Sequence, residues 1–230
     1  MKHETTAHVH RPRLDARFAA SASSCAQFPT DGLPEVAFLG RSNVGKSSLL
    51  NALAGARGLA RVSSSPGRTQ LVNFFRVTER TARRSPNELY LVDLPGYGYA
   101  KAPREVREGF EALALSYLVD REPLRLCVFI VDARHEPSER DLRLRELLDE
   151  NELRWALAAN KIDALSRTEA RSRIQALEQG LGLTSAGVVP VSAEDGQGLG
   201  ELWSLIRAVA LADPAAEPEA LAPRGHDGRN

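Results

Sequence analysis

Eight consecutive residues, Gly40, Arg41, Ser42, Asn43, Val44, Gly45, Lys46 and Ser47, place two glycines, a lysine and a serine at the spacing G-x-x-x-x-G-K-S. They join an apolar run, EVAFLG, to an amphipathic one, SLLNAL. A loop of this kind can turn successive backbone N–H groups inward around a phosphate, because a residue without a Cβ does not block the approach. The helix that follows adds its partial positive charge. Lys46 supplies a full charge to β and γ oxygens, and the Ser47 hydroxyl is placed to ligate Mg²⁺. A glycine-rich turn of no special purpose needs neither Lys46 nor Ser47. The pattern predicts a polyphosphate socket and by itself does not separate ATP from GTP.

A second stretch addresses the base. Asn160, Lys161, Ile162 and Asp163 follow another apolar run, WALAAN. Guanine presents N1–H and N2–H₂ as adjacent donors, which one carboxylate accepts together, and Asp163 is assigned that role. Adenine would leave the carboxylate unpaired, so the tetrapeptide argues for GTP. Asn160 is expected to hold the loop, and the Lys161 stem to cover a purine face. Asp93, Leu94, Pro95 and Gly96 close the run LYLVDL. A carboxylate there can hold Mg²⁺ directly or through water, and the Gly96 amide can meet the γ-phosphate. Between the first helical pattern and the second apolar run lies SSSPGRTQ, in which Thr69 is the candidate second Mg²⁺ ligand of a loop that closes only over a triphosphate. Val191, Ser192 and Ala193 end the last apolar run and offer backbone amides to guanine O6.

These residues need a scaffold that brings loop tips together. Six short apolar runs, EVAFLG, LVNFFRV, LYLVDL, LCVFIVDA, WALAAN and VVPVSA, each have the length of a buried strand. Helical patterns fill the gaps over residues 47–56, 103–119, 138–148, 168–179 and 199–211. Pro103 suits a first helical turn, and Ser138 opens the capping pattern S-E-R-D. The second and third runs flank the polar loop ERTARRSPNE, which predicts a hairpin and one antiparallel strand. The expected fold is a three-layer α/β domain with a mostly parallel six-stranded sheet, and ligands at the carboxyl ends of its strands.

Composition narrows the classes. With 230 residues and 43% hydrophobic content, one domain with one sizeable core is expected over residues 18–212, with disordered tails at 1–17 and 213–230. Lysine plus arginine equals aspartate plus glutamate, so a polyanion contact must come from a local patch or a ligand-sized site. Cys25 and Cys127 lie far apart without metal-ligand spacing, and no run reaches bilayer-spanning length. The expectation is a cytoplasmic protein without membrane contact. No long exposed heptad argues for a coiled coil, and a monomer is expected.

GRSNVGKSSLLNAL, PGRTQLVNFF, VDLPGYGYAK and VDARHEP occur in this order and spacing. Together they resemble the EngB (YsxC/YihA) group of bacterial ribosome-assembly GTPases, within the superfamily of TrmE, Era, EngA and septin-like GTPases. The resemblance covers roughly residues 18–210, and the combination of PGRTQ with DLPGYGYA is far more specific than the P-loop. It implies a Ras-like P-loop domain, binding of GTP and GDP with Mg²⁺, association with the large ribosomal subunit or its precursor, including rRNA and ribosomal proteins, and an indirect part in division septation. Carried onto this chain, the phosphate site is residues 40–47 and the first switch is Gly67, Arg68, Thr69, Gln70 and Leu71. The second switch is Asp93 to Gly96, the base site Asn160 to Asp163, and the last loop Val191 to Ala193, with Mg²⁺ on Ser47 and Thr69. Many relatives carry Thr in place of Asn160 and a less regular loop in place of SAEDGQG, so this chain sits closer to the general GTPase pattern.

Lys46, Thr69, Gly96 and Asn43 are the groups expected to act on the terminal phosphate. Tyr97 stands where many GTPases carry a water-positioning Gln, which predicts slow intrinsic hydrolysis gated by a partner or a cation. Asn43 matches the P-loop asparagine that helps hold K⁺ in related potassium-stimulated GTPases, or it braces the loop through backbone hydrogen bonds. Seven arginines and the single acid Glu79 fall between Arg57 and Arg84, a patch suited to RNA phosphates.

Overall fold

Apolar residues run without interruption through the central strands because both faces of the sheet are covered. The computed structural model describes residues 14–60, 71–80, 86–96, 104–183 and 187–212. Its seven strands are β1 (Leu14–Ala22), β2 (Glu35–Gly40), β3 (Val72–Glu79), β4 (Asn87–Asp93), β5 (Leu124–Asp132), β6 (Trp155–Asn160) and β7 (Val188–Pro190). They form one sheet in the order β1-β3-β4-β2-β5-β6-β7. The five described helices are α1 (Lys46–Ala54), α2 (Arg104–Asp120), α3 (Glu139–Glu150), α4 (Arg167–Gly180) and α5 (Leu199–Ala210).

Successive residues of each central strand serve opposite layers, as the period of two requires. Val36 and Phe38 of β2 face a core with Leu49, Leu50 and Leu53 of α1 and Leu202, Trp203 and Ile206 of α5. Ala37 and Leu39 face the other core, with Tyr117 of α2, Leu148 of α3 and Leu177 of α4. The domain is therefore the expected three-layer α/β fold. β3 is its one antiparallel strand, pairing with β1 and β4, while β2, β4, β5, β6 and β7 are parallel.

The sheet has seven strands rather than six. The extra one, β1, begins inside the stretch expected to be a tail, so residues 14–17 belong to the sheet. Leu14, Ala16 and Phe18 lie opposite Glu79, Val77 and Phe75, then an irregularity between Phe18 and Ala20 reverses the face that the even positions serve. Beyond it Ala20 and Ala22 lie opposite Phe74 and Val72 and join the second core. A bulge moves every later side chain to the other face, so the even positions serve the first core before it and the second core after it.

Helix starts agree closely with the sequence reading. Ser138 caps α3 in a reciprocal box with Asp141: the Ser138 N–H donates to Asp141 Oδ2 at 2.8 Å and the Asp141 N–H to Ser138 Oγ at 3.4 Å. Ser166 and Glu169 form a second such box at α4. Each cap contributes on the order of 1 kcal/mol.

Candidate functional site

The carboxyl ends of β2, β4, β5 and β6 point the same way, so the residues that leave them share one rim. Gly40 ends β2 against β5; a Cβ there would sit 2.7 Å from the Ile130 carbonyl oxygen and 2.9 Å from the Val44 side chain. Gly45 caps α1 with φ of 92°, a left-handed conformation, and a Cβ there would collide with Asn160 Nδ2. Both positions therefore require glycine for local reasons. No side chain caps α1, so the N–H groups of its first turn stay available to an anion.

Lys46 opens α1, and its ammonium is ion-paired with Oδ1 of Asp93, the last residue of β4. Both side chains are nearly buried, at 9% and 5% exposure. Ser47 follows Lys46 in the same helical turn. The Ser47 hydroxyl and the Asp93 carboxylate are hard oxygen donors, the chemistry that suits Mg²⁺. Leu94, Pro95 and Gly96 continue from Asp93 as buried chain, with the Leu94 N–H donating to the Phe38 carbonyl at 3.3 Å. The Ser42 hydroxyl is buried and finds no hydrogen-bond partner among the described residues, as expected of a group facing a ligand. Arg41 is exposed and lies 4.0 Å from Asp141 at the start of α3.

The base-side tetrapeptide is bound to this loop. Asn160 is 1% exposed; its Nδ2 donates to the Val44 carbonyl at 2.9 Å, and its Oδ1 accepts from the Ala193 N–H at 3.2 Å. One buried amide thus fastens the P-loop, β6 and the last loop together. Lys161, with φ of 68°, donates from Nζ to the Asn43 carbonyl at 2.6 Å and to Asp132 Oδ2 at 2.9 Å. Asn43 is itself exposed, with φ of 69°. Ile162 is buried and its N–H donates to the Val191 carbonyl at 3.4 Å, which leaves Asp163 exposed on the short 3₁₀ turn Ile162–Ala164.

Asp132 was missed by sequence reasoning, although it closes an apolar run in the same way as Asp93. Its carboxylate accepts from Arg134 Nε at 2.9 Å and Nη2 at 2.7 Å, and from Lys161. Burial pushes the Asp132 carboxyl up, but the hydrogen bonds from Arg134 and Lys161 outweigh it and hold the group well below the usual carboxylate range. The Arg134 guanidinium is held above its ordinary value by Asp132 and, last among the causes, by the charge of Asp163. His135 and Glu136 are local surface residues, the His135 N–H donating to the Asp132 carbonyl and Glu136 lying 4.0 Å from Arg173.

One expectation differs in the structure. The amides of Val191, Ser192 and Ala193 were offered to guanine O6, yet each donates within the protein: to the Ala159 carbonyl, the Gln197 carbonyl and Asn160 Oδ1. What this loop supplies is a brace on Asn160. Ser192 is fully buried, and its hydroxyl accepts from the N–H groups of Glu194 and Asp195. Gly67, Arg68, Thr69, Gln70 and Tyr97 lie outside the described residues, as do residues 1–13 of the expected N-terminal tail and all of the C-terminal one, and Leu71 is partly exposed just before β3.

Replacing Asn160 by Ala orphans the Val44 carbonyl and the Ala193 N–H together. The expected loss is about 2–3 kcal/mol of folding stability, measured by urea denaturation, because unsatisfied buried polar groups cost more than the bonds themselves contributed.

Comparison with known proteins points one way. A family model described as 50S ribosome-binding GTPase matches residues 35–161. A probable GTP-binding protein EngB of Anaeromyxobacter sp. (strain K) is 45% identical over 211 residues, covering 90% of this chain and 98% of that protein. A probable GTP-binding protein EngB of Solibacter usitatus (strain Ellin6076) is 43% identical over 193 residues, covering 84% and 95%. Among solved structures, a probable GTP-binding protein engB superposes with a TM-score of 0.58 at 23% identity, covering 76% of this chain and 97% of that one. Era in complex with MgGDPNP and nucleotides 1506–1542 of 16S ribosomal RNA superposes with a TM-score of 0.64 at 24% identity, covering 83% and 61%. At these identities the two solved structures bear on the fold alone.

Proposed function

Since the chain belongs to the EngB family of GTP-binding proteins and is a GTPase by that membership, we propose that it is a slow nucleotide-dependent switch in assembly of the large ribosomal subunit, indirectly needed for normal division septation. The observation that carries this reading is the pair of side chains, Asn160 and Lys161, that fastens the phosphate loop to the base turn. A site that must recognise the two ends of one nucleotide needs its two halves held at a fixed distance.

In this reading the first-turn amides of α1 and the Lys46 ammonium take the β and γ oxygens, and Asp163 takes N1–H and N2–H₂ of guanine. Ser47 and Thr69 are the residues that would hold Mg²⁺, with the Asp93 carboxylate as a further oxygen donor, and a bound Mg²⁺ would neutralise phosphate charge. Gly96 meets the γ-phosphate through its amide. Hydrolysis, in which water attacks the γ-phosphorus and the bond to the β–γ bridging oxygen breaks, removes that contact and frees the residues after it. Tyr97 has no amide with which to orient the water, so turnover waits on a partner, or on K⁺ held near Asn43. The arginine-rich stretch from Arg57 to Arg84 adjoins the first switch and suits rRNA phosphates. Among the described residues no helix is long and apolar enough to cross a membrane, and a cytoplasmic monomer fits the proposed role.

Single-turnover hydrolysis of GTP and ATP, with and without 50S subunits and in K⁺ and Na⁺ buffers, tests the proposal. The expected result is slow hydrolysis of GTP alone, faster in K⁺, and accelerated at least about tenfold by the subunit, a lowering of the barrier by about 1.4 kcal/mol. Hydrolysis indifferent to the subunit favours a nucleotide-dependent binding module, and phosphate transfer to a small molecule favours a P-loop phosphotransferase.

A further inference from the structure

Resting on the nucleotide reading above, we infer that Asp132, locked in place by Arg134, is a positioning residue that sets the Lys161 stem across the purine face, and so governs how long a guanine nucleotide stays bound. Asp132 is the last residue of β5 and lies opposite Asn160 of β6. The Ala133 N–H donates to the Asn160 carbonyl at 2.8 Å. The carboxylate and the lysine one residue beyond Asn160 therefore spring from two strand ends tied to each other.

Four hydrogen bonds converge on that carboxylate: from the Arg134 N–H at 3.2 Å, Arg134 Nε at 2.9 Å, Arg134 Nη2 at 2.7 Å and Lys161 Nζ at 2.9 Å. They fill its acceptor capacity, so Asp132 has nothing left to offer a ligand and acts through Lys161. A guanidinium fork fixes the plane of the carboxylate it holds. Oδ2 is shared between the fork and the ammonium, so its place is set independently of the lysine. A lysine stem left free samples many rotamers, and ordering it at each binding event weakens binding. Here the ammonium is held from two sides, by Asp132 Oδ2 and by the Asn43 carbonyl at 2.6 Å. The Lys161 backbone has φ of 68°, a left-handed conformation that a residue with a side chain keeps only where its surroundings over-determine it. The stem thus stands ready, two residues before the carboxylate assigned to the guanine edge.

Release of fluorescent methylanthraniloyl-GDP from the full chain, chased by excess GDP in Mg²⁺ buffer, tests this. Asp132→Asn keeps the shape but turns one acceptor into a donor that faces a cation. It is expected to release the probe at least about tenfold faster, a difference of about 1.4 kcal/mol. Lys161→Met keeps the stem without its ammonium and is expected to do the same. Adding Asp132→Asn to Lys161→Met is then expected to change the rate by less than about twofold, because the carboxylate acts only through the lysine. Unchanged release from Asp132→Asn, or an equal effect with and without the Lys161 ammonium, overturns the inference. Should Asp132→Asn not fold, Arg134→Gln carries the test, since that side chain is 42% exposed. Release about threefold faster is expected of it, and unchanged release overturns the inference.

Tripolyphosphate, which has no base, separates positioning from a general loosening of the rim. Asp132→Asn is expected to bind it within about twofold of wild type while binding GDP at least about tenfold more weakly. Equal losses for the two ligands mean that Asp132 merely holds the strand ends together, and overturn the inference. Failure of the wild type to bind the GDP probe overturns the nucleotide reading itself.

Discussion

Replacing Asp163 by Asn is expected to weaken binding of GTP and GDP by about 10²–10⁴-fold and to move preference toward xanthosine nucleotides. The carboxylate accepts two adjacent guanine donors in the proposed pose, and charge-assisted bonds contribute about 1.5–3 kcal/mol each. Losing both corresponds to that range of affinities. An Asn side chain presents one acceptor and one donor instead, which matches N1–H and the C2 carbonyl of xanthine. The protein itself should be indifferent. Asp163 is exposed, and its turn is anchored through Ile162, which is buried and bonded to the Val191 carbonyl. Titration calorimetry with Mg²⁺ and each nucleotide measures the shift, with an unchanged Tm as control. Unaltered preferences would remove the base assignment and, with it, the reason to favour GTP over ATP.

What made this position visible was local: a tetrapeptide at the end of an apolar run, upstream of which the P-loop already demanded a nucleotide. The same holds for the elements. β2 and β6 occupy the runs EVAFLG and WALAAN because each is buried on both faces, and the capping residue Ser138 stands where S-E-R-D placed it. Long-range features left no such trace. β1 was weakly marked because three of its five alternating apolar positions, Ala16, Ala20 and Ala22, are alanines, which carry little strand preference. Asp132 was passed over because its role depends on Lys161, 29 positions later, and on Arg134 folding back onto it. The last loop offers the plainest case. Its amides looked available to a base, but the Ala193 N–H is committed to Asn160, which a string of residues does not reveal. Glu35 is similar, for it opens an apolar run and reads as a polar strand end, yet it is 1% exposed.

That buried carboxylate yields the second large expected effect. Arg121→Met is expected to destabilise the protein by about 3–5 kcal/mol, a fall in Tm on the order of 10 °C. Glu35 accepts from Arg121 Nε at 2.9 Å and Nη2 at 2.5 Å, and from the Tyr117 hydroxyl at 2.7 Å. Burial first, and then Glu35, hold the Tyr117 phenol well above its ordinary pKa, so it remains a donor. The Arg121 guanidinium also donates to the Pro29 carbonyl at 2.6 Å and lies 5.5 Å from the centre of the Phe28 ring. It thereby ties the segment before β2 to the end of α2. Methionine keeps the stem's bulk and removes the charge, leaving a buried carboxylate with one neutral donor. Glu35 begins β2, whereas the phosphate loop leaves from its far end at Gly40. Nucleotide affinity at a temperature where the variant is folded is therefore expected to change less than about threefold, under 0.7 kcal/mol. Adding Glu35→Gln to Arg121→Met relieves the stranded charge and should restore a substantial part of the lost stability. Calorimetric melts of the two single variants and the double one decide the matter: no recovery in the double variant would mean that the loss came from packing against Phe28 rather than from the unpaired carboxylate.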